Sequence, residues 1–313
     1  MQSARDVLTP EALSMLQSIA EAGSFAAAAR AMGMVPSALT YRVRQIEDAL
    51  DVLLFDRSSR QAQLTEAGSE LLREGARLLN EIDAVANRVR RVATGWESQF
   101  TIAVDTIISR TTLMELCESF YSMAPPTHIK LRDETLAGTL AALTSGQADL
   151  AIGVTPESSN LASVHTRPLG TVDFIYAVAP HHPLAQAAEP LSDELIKQHR
   201  GVAVADTIQR GSGLSFGIFS GQDIFTVASM QAKIEAQLRG LGGGNVPLPM
   251  VNRYLESGRL VAKRTERDKR RVNIHYAWRN QKSVTEGRAM QWWLAQLESP
   301  ATRLALLERH GSM

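Results

Sequence analysis

A long amphipathic stretch in the first third of the chain limits the fold more than any other feature. From Thr65 to about Gly95, small or apolar residues recur at alternating spacings of three and four. These positions are Gly68, Leu71, Gly75, Leu78, Ile82, Val85, Val89 and Val92. A helix of this length spans roughly 40 Å, too long for a small domain to bury such a seam. The pattern favours pairing with a second copy of the chain, and packing on its own chain is the alternative.

The segment before this stretch contains signals for three shorter helices. Thr9 and Pro10 form a helix start, with the threonine as N-cap and the proline in the first turn. Gly23 ends that helix and Ser24 caps the next, and Pro36 opens the third. Leu39, Val43, Ile46 and Leu50 form a buried stripe on the third helix. The opposite face carries Ser37, Thr40, Tyr41, Arg44 and Asp48.

The second and third helices, joined by a small-residue turn, indicate a helix-turn-helix. The polar face of the third helix fits the major groove of DNA, where hydroxyl and guanidinium groups read base edges. A helical hairpin with a solvated face is the alternative. Residues 52–55 and 61–64 then predict two strands of a small wing, whose Arg57 and Arg60 contact phosphates.

Net charge does not explain DNA binding by this region. Residues 1–94 hold eleven arginines, no lysine and twelve acidic residues, and the whole chain has 33 basic and 33 acidic residues. Binding must therefore depend on where single arginines lie, namely Arg42, Arg44, Arg57 and Arg60.

From about residue 99 the sequence alternates strand and helix patterns. The predicted strands are residues 100–104, 128–132, 149–154, 174–178, 202–204, 225–228 and 272–278, and residues 290–297 form a closing helix. Repeated strand–helix units predict an α/β domain with a mostly parallel sheet, which binds ligands at the carboxyl ends of its strands.

Polar residues at these strand ends are the candidate ligand-binding residues. They are Asp105, Thr106, Glu134, Thr135 and Thr155 in one lobe and Asp206 and Met230 in a second. The alternative for each is a helix cap or a solvated loop. If Asp105, Glu134 and Asp206 converge, the ligand offers hydrogen-bond donors or positive charge and not a carboxylate.

Several other classes of protein and site are disfavoured. The single Cys117 excludes an intrachain disulfide framework, and no spacing predicts a metal site or a catalytic nucleophile with its base. Residues 240–245 are glycine-rich but follow a helix, so they do not fit a dinucleotide site, and we expect no cofactor. No apolar run is long enough to span a membrane, so we expect a cytoplasmic protein with no membrane partner.

These motifs resemble those of the LysR-type transcriptional regulators in order and spacing. The matching segments are residues 24–28, 36–40, 46–47, 54–57 and 64–68, followed more loosely by 146–152, 240–242 and 246–249. Three positions depart from the family pattern. Tyr41 stands where many members have arginine, and Val35-Pro36 replaces a common Ser-Gln, so base preference cannot be carried over.

The resemblance implies a winged helix-turn-helix over residues 1–65, a dimerising linker helix over 66–95 and a two-lobed effector domain, similar to periplasmic binding proteins, over 96–313. Its first lobe would comprise about 96–166 and 268–313, and its second about 167–267. The implied function is transcription regulation by sequence-specific binding to an interrupted palindrome in promoter DNA, controlled by a small molecule between the lobes.

Partners implied are double-stranded DNA, the effector, a second copy through the linker helix, a tetramer of such dimers and the transcription machinery. The DNA-contacting candidates are Pro36, Ser37, Thr40, Tyr41, Arg42, Arg44, Arg57 and Arg60. The alternatives are a small-molecule-binding module and an enzyme acting in the cleft between the lobes.

Overall fold

The computed structural model describes residues 3–56, 62–155, 164–207, 217–267, 270–279 and 286–311. Contacts divide the chain into two compact units, Met1–Ala86 and Asn87–Met313. In the described residues, no helix combines the length and the apolar character needed to cross a lipid bilayer.

Four helices open the first unit: α1 (Ala4–Val7), α2 (Pro10–Ala22), α3 (Phe25–Ala31) and α4 (Pro36–Leu50). Thr9 Oγ1 accepts a hydrogen bond from the Ala12 amide at 3.2 Å, and Ser24 Oγ accepts one from the Ala27 amide at 3.1 Å. These caps satisfy amides that the first helical turn leaves without partners. The predicted starts of the three longer helices are confirmed.

The core of this unit is mainly aliphatic and is formed where α2, α3 and α4 meet, with Phe55 of β1 also buried in it. Leu39, Val43 and Ile46 of the predicted stripe are buried, and Leu50 is half-buried. Ala28 and Ala29 of α3 are fully buried, so α3 approaches its neighbours closely because it has almost no side chain at the contact.

The wing is shorter than the sequence predicts. Strands β1 (Phe55–Asp56) and β2 (Gln63–Leu64) pair antiparallel, and residues 57–61 between them lie outside the described residues. The predicted strand over 52–55 is wrong for its first three residues. The amide of Leu54 donates to the Glu47 carboxylate at 2.8 Å instead of to a neighbouring strand. Helix α5 (Glu66–Thr94) follows β2.

A seven-stranded sheet organises the second unit. Its strands are β3 (Gln99–Asp105), β4 (His128–Glu134), β5 (Leu150–Val154), β6 (Val164–Val178), β9 (Gly244–Pro247), β10 (Val261–Lys263) and β11 (Arg270–Arg279). The order is β4-β3-β5-β11-β6-β10, and β9 also pairs with β6. A separate parallel pair consists of β7 (Gly201–Val204) and β8 (Ile224–Val227).

The sheet is mixed, not mostly parallel as predicted. β3 runs parallel to β4 and β5, but β11 is antiparallel to β5 and β6, and β6 is antiparallel to β9 and β10. The difference arises because β6 and β11 are long strands that pass from one lobe to the other. Their pairing shifts register between Ile274 and His275, where β11 passes from its pairing with residues 170–174 to that with residues 164–168.

Helices cover both lobes of this unit. They are α6 (Arg110–Tyr121), α7 (Ala137–Thr144), α8 (Asp193–Lys197), α9 (Met230–Leu238), α10 (Leu248–Glu256), α11 (Arg288–Glu298) and α12 (Pro300–Glu308). The first lobe comprises β3–β5 with α6, α7, α11 and α12, and the second comprises β7–β10 with α8–α10. Phe100, Phe120 and Trp293 are fully buried in the first lobe.

Candidate functional site

Helix α4 presents a solvent-exposed polar face. Six of the predicted DNA-contacting residues belong to this helix and are exposed: Pro36, Ser37, Thr40, Tyr41, Arg42 and Arg44. Five of them share one side of the helix, namely Pro36, Ser37, Thr40, Tyr41 and Arg44, which we call the reading face, and Arg42 projects from a different side. Tyr41 is 63% exposed, and its hydroxyl oxygen accepts a hydrogen bond from Gln45 Nε2 at 3.2 Å. The other two candidates, Arg57 and Arg60, lie outside the described residues.

A buried carboxylate attaches α4 to the wing. Glu47 is 4% exposed, and its Oε1 accepts hydrogen bonds from the amides of Leu54 at 2.8 Å and Phe55 at 3.4 Å. Backbone amides of this loop therefore have partners although β1 begins only at Phe55. This role of Glu47 was not predicted from the sequence; the available signal was that Glu47 directly follows Ile46 of the buried stripe.

The seam of α5 divides into two parts. A Cβ on Gly68 would lie 2.1 Å from the carbonyl oxygen of Leu54, and one on Gly75 would lie 3.0 Å from Leu13. The first part of the seam therefore packs against the helix-turn-helix of its own chain. The remaining apolar side chains are exposed, by 46–81%: Leu78, Ile82, Val85, Val89 and Val92.

A cavity of about 80 Å³ lies between the lobes of the second unit. Among its lining residues are five of the predicted ligand-binding residues: Asp105, Thr106, Thr135, Thr155 and Met230. Phe174, Val272 and Ile274 supply apolar wall from the two long strands. The volume accommodates several water molecules or a small ligand.

Asp105, at the carboxyl end of β3, is the buried acid of the cavity. Its Oδ1 accepts from the Ile107 amide at 2.9 Å, and its Oδ2 accepts from the Leu136 amide at 3.0 Å and the Thr139 hydroxyl at 3.4 Å. Burial raises the pKa of Asp105 to about 7, against the effect of these hydrogen bonds, and the nearby charge of Asp206 acts in the same direction as burial.

Two threonines of the first lobe bond directly to the second lobe. Thr135 Oγ1 donates to the Ala205 carbonyl at 2.6 Å, and Thr106 Oγ1 accepts from the Met230 amide at 3.3 Å. Gln231 Nε2 also donates to the Thr106 carbonyl at 3.0 Å. The lobes are therefore held together across the cavity by polar contacts.

Lys233, on the same helix as Met230, is a lining residue that sequence analysis missed. It is 5% exposed, and desolvation lowers the pKa of its ammonium group to about 8. Asn245 and Arg270 also line the cavity and were missed. The available signal for Lys233 was its spacing of three from Met230, which places both on one face of a helix.

Of the three carboxylates predicted to converge, only Asp105 is among the described lining residues of the cavity. Glu134 and Asp206 do not line the cavity. Glu134 instead pairs with Arg132, whose guanidinium donates to Glu134 Oε1 at 2.8 and 3.1 Å. The described lining residues include one carboxylate and two cationic side chains, so the expectation of a ligand without a carboxylate is no longer supported.

Within the described part of the chain, no group of three or more histidine, cysteine or acidic residues could hold a metal ion.

Two family models together match most of the chain. The model of the LysR substrate binding domain matches residues 93–300, and that of the bacterial regulatory helix-turn-helix protein of the lysR family matches residues 10–69. The chain belongs to the LysR family. It is thus a DNA-binding transcription regulator with an effector-binding domain.

Similarity to named proteins extends over the length of the molecule. A curated relative, the probable HTH-type transcriptional regulator YhaJ of Escherichia coli (strain K12), is 35% identical over 93% of this chain and 96% of its own. This relative is named as a regulator, which agrees with a non-enzymatic role.

Two solved structures of the LysR family share the fold. Full-length CbnR in complex with its target DNA is 17% identical with a TM-score of 0.57, covering 97% of this chain and 100% of its own. LysG of Corynebacterium glutamicum with bound effector Arg is 20% identical with a TM-score of 0.52, covering 96% and 99%. These likenesses support the winged helix-turn-helix and two-lobed architecture.

Proposed function

We propose that the reading face of α4 contacts base edges in the major groove of promoter DNA. The observation that carries this proposal is that all five residues of that face are exposed on one helix whose opposite side is buried. Hydroxyl groups of Ser37 and Thr40 and the guanidinium groups of Arg42 and Arg44 supply donors for bases and phosphates. Arg57 and Arg60 of the wing are proposed to contact phosphates beside this site.

A footprint on the DNA upstream of the protein's own gene tests this proposal. We expect a protected, two-fold related site that survives excess unrelated DNA. Arg44→Ala is expected to weaken binding by about 1–3 kcal/mol if Arg44 reads a base. Arg77→Ala is the matched control, because Arg77 is exposed on α5 and pairs with Glu74, away from the reading face. Equal affinity of Arg44→Ala and the control on that site would remove Arg44 from the interface.

We propose that the chain dimerises through the exposed part of the α5 seam, from Leu78 to Val92. Its five apolar side chains lie on one side of the helix and are exposed in the single chain, which supports pairing with a second copy. Two reading faces related by a two-fold axis would match an interrupted palindrome. Further pairing into a tetramer is part of this proposal.

Ile82→Asp tests the dimer, because it places a charge in the middle of the seam. Asn80→Asp is the control, since residue 80 lies on the opposite side of the helix at 100° per residue. Sedimentation velocity is expected to show smaller species for Ile82→Asp only. The same assembly state for both variants would reject the seam as the interface.

We propose that the cavity between the lobes binds the effector and that binding changes the angle between them. The strands β6 and β11 connect the lobes, and the register shift beside His275 marks where they bend most readily. Polar contacts from Thr106 and Thr135 hold the closed arrangement. An effector that binds one arrangement of the lobes more tightly increases the population of that arrangement. The spacing or bending of the bound DNA changes as a result, and the transcription machinery responds to this change. We place these events in the cytoplasm.

The cavity is proposed to release its ligand chemically unchanged. Among the described lining residues there is no serine, cysteine or histidine to serve as nucleophile or base. Incubation of the protein with a bound effector, followed by analysis of the small molecule, is expected to return it intact.

A further inference from the structure

The ammonium group of Lys233 is largely buried but has no acceptor among the described residues. The side chain is 5% exposed, yet among the described residues no carboxylate lies within 4.0 Å of its ammonium group and no hydrogen bond satisfies it. Burial of an unpaired ammonium group is strongly unfavourable, so such a group normally binds a partner.

Another largely buried lysine of the same lobe has hydrogen-bond acceptors and an ion-pair partner for its ammonium group. The side chain of Lys263 is 8% exposed, and its ammonium donates to the carbonyl oxygens of Ala185 at 3.2 Å and Ala187 at 2.9 Å. It also lies 3.2 Å from Glu189. The fold therefore provides acceptors for a buried lysine where the lysine is structural, and Lys233 lacks them.

Lys233 lies in the wall of the cavity between the lobes. One side of its ammonium group is occupied by the backbone at Gly244, where an added Cβ would lie 3.2 Å from Nζ. Lys233 and Arg270 both line the cavity, so two cationic side chains border the same space.

Asp105, the acid that lines this cavity, does not neutralise Lys233. Both oxygens of Asp105 already accept hydrogen bonds from Ile107, Leu136 and Thr139. In the described structure, Asp105 and Lys233 form no ion pair. The acceptor for Lys233 therefore comes from outside the described chain, either from water or from a molecule that occupies the cavity.

We propose that the effector carries an oxyanion, a carboxylate or a phosphate, which binds the ammonium group of Lys233. This inference rests on the proposed binding of an effector in the cavity and adds its chemical class. Met230, Phe174 and Val272 line the same cavity and contact the apolar part of the ligand. Asn245 offers an amide for a further polar group.

Pairs of probes that differ only in charge test this inference with the full-length protein. The probes are sodium acetate against acetamide, sodium benzoate against benzamide, and inorganic phosphate, at constant sodium chloride. Thermal unfolding gives the dissociation constant of each probe. We expect a carboxylate or phosphate to bind the wild type about tenfold to a hundredfold more tightly than the neutral probes, as a charge-assisted hydrogen bond requires.

Three variants assign this preference to Lys233. Lys233→Met is expected to bind each anion no better than its neutral counterpart, whereas Lys233→Arg retains a measurable preference. Lys197→Met, at an exposed lysine of the same lobe, is expected to behave as the wild type.

Two results would overturn the inference. One is an anion preference of the same size in the wild type and in Lys233→Met. This result includes the case in which neither protein prefers the anion. The other is stronger binding of the amides to the wild type, which would retain a binding cavity but reject its proposed ligand class. The footprint on DNA does not depend on either result. Preference for phosphate over the carboxylates, or the reverse, identifies which oxyanion the site fits.

Discussion

The reading face of α4 and the cavity of the second unit place their polar groups in opposite environments. Ser37, Thr40 and Arg44 are exposed, so water solvates them and they contribute little to stability. Asp105 and Lys233 are buried. Burial raises the pKa of Asp105 and lowers the pKa of Lys233, so it favours the neutral form of each. The comparison indicates that the polar groups of the DNA site hardly change the free energy of unfolding. Those of the ligand site, by contrast, destabilise the unliganded protein.

The largest expected effect is the pH dependence caused by Asp105. Its pKa is raised from an ordinary value of 3.8 to about 7 by folding, so the folded protein keeps a proton that the unfolded chain releases. Stability therefore falls as pH rises from about 4 to 7, by up to roughly 4 kcal/mol. Urea unfolding between pH 4 and 8 measures this change.

Asp105→Asn isolates this contribution. Buried histidines also titrate in this range, and their effect is common to both proteins, so the difference between the two profiles belongs to Asp105. We expect the wild type to lose stability with rising pH relative to the variant. Parallel profiles would show that Asp105 titrates normally. They would contradict the proposed difference between the exposed DNA site and the buried ligand site.

Lys233→Met is expected to stabilise the unliganded protein. The pKa falls from 10.5 to about 8 in the fold, so the folded protein carries a penalty of roughly 3 kcal/mol at pH 7 that diminishes between about pH 8 and 10.5. Unfolding free energies at pH 7 and 10 measure the gain and its decrease. Lys263→Met, which removes a satisfied ammonium, should have the opposite sign. Destabilisation by both substitutions would mean that Lys233 has an acceptor in the free protein.

Glu47→Gln tests the first unit for the effect of a carboxylate that is buried but has hydrogen-bond donors, the amides of Leu54 and Phe55. The amide retains one acceptor oxygen but loses the charge that strengthens its bonds to the Leu54 and Phe55 amides. We expect a loss of about 1–3 kcal/mol in the unfolding free energy of this unit, measured by circular dichroism on urea titration. Asp48→Asn, the same change at an exposed neighbour on α4, is the control. Equal stability of Glu47→Gln and wild type would show that the wing does not depend on this carboxylate.

The smallest effect is expected on the reading face. Arg44→Ala and Tyr41→Phe should change the unfolding free energy by less than about 0.5 kcal/mol, because both side chains are exposed. Chemical denaturation measures this, in parallel with the DNA affinity of Arg44→Ala. A loss of stability comparable to that of Glu47→Gln would place these residues in the fold instead of at its surface.

Sequence patterns predicted the first unit in most of its detail. Thr9, Ser24 and Pro36 start helices because capping depends on residues three or four positions apart in the chain. The reading face follows from the same local rule, since a helix with one buried stripe must expose the opposite side. The exceptions are the first strand of the wing, which is shorter than predicted, and Glu47, whose burial depends on a loop that the helical period does not describe.

The cavity was predicted only in part, for a physical reason. Asp105, Thr106, Thr135 and Thr155 could be found because strand ends meet at one edge of a sheet. Glu134 and Asp206 also lie at strand ends, yet Arg132 binds Glu134 and neither carboxylate is among the described lining residues. Whether a polar residue at a strand end reaches the ligand depends on neighbours from other segments.

By itself the sequence determined the family, the helix-turn-helix and the amphipathic course of α5, because each depends on periodicity and short spacings. Only the tertiary structure decided that Gly68 and Gly75 pack on their own unit while Leu78 to Val92 remain exposed. It also decided that Lys233 is buried at the cavity without a partner in the described chain. Burial and pairing are set by segments far apart in the sequence, and no local pattern contains them.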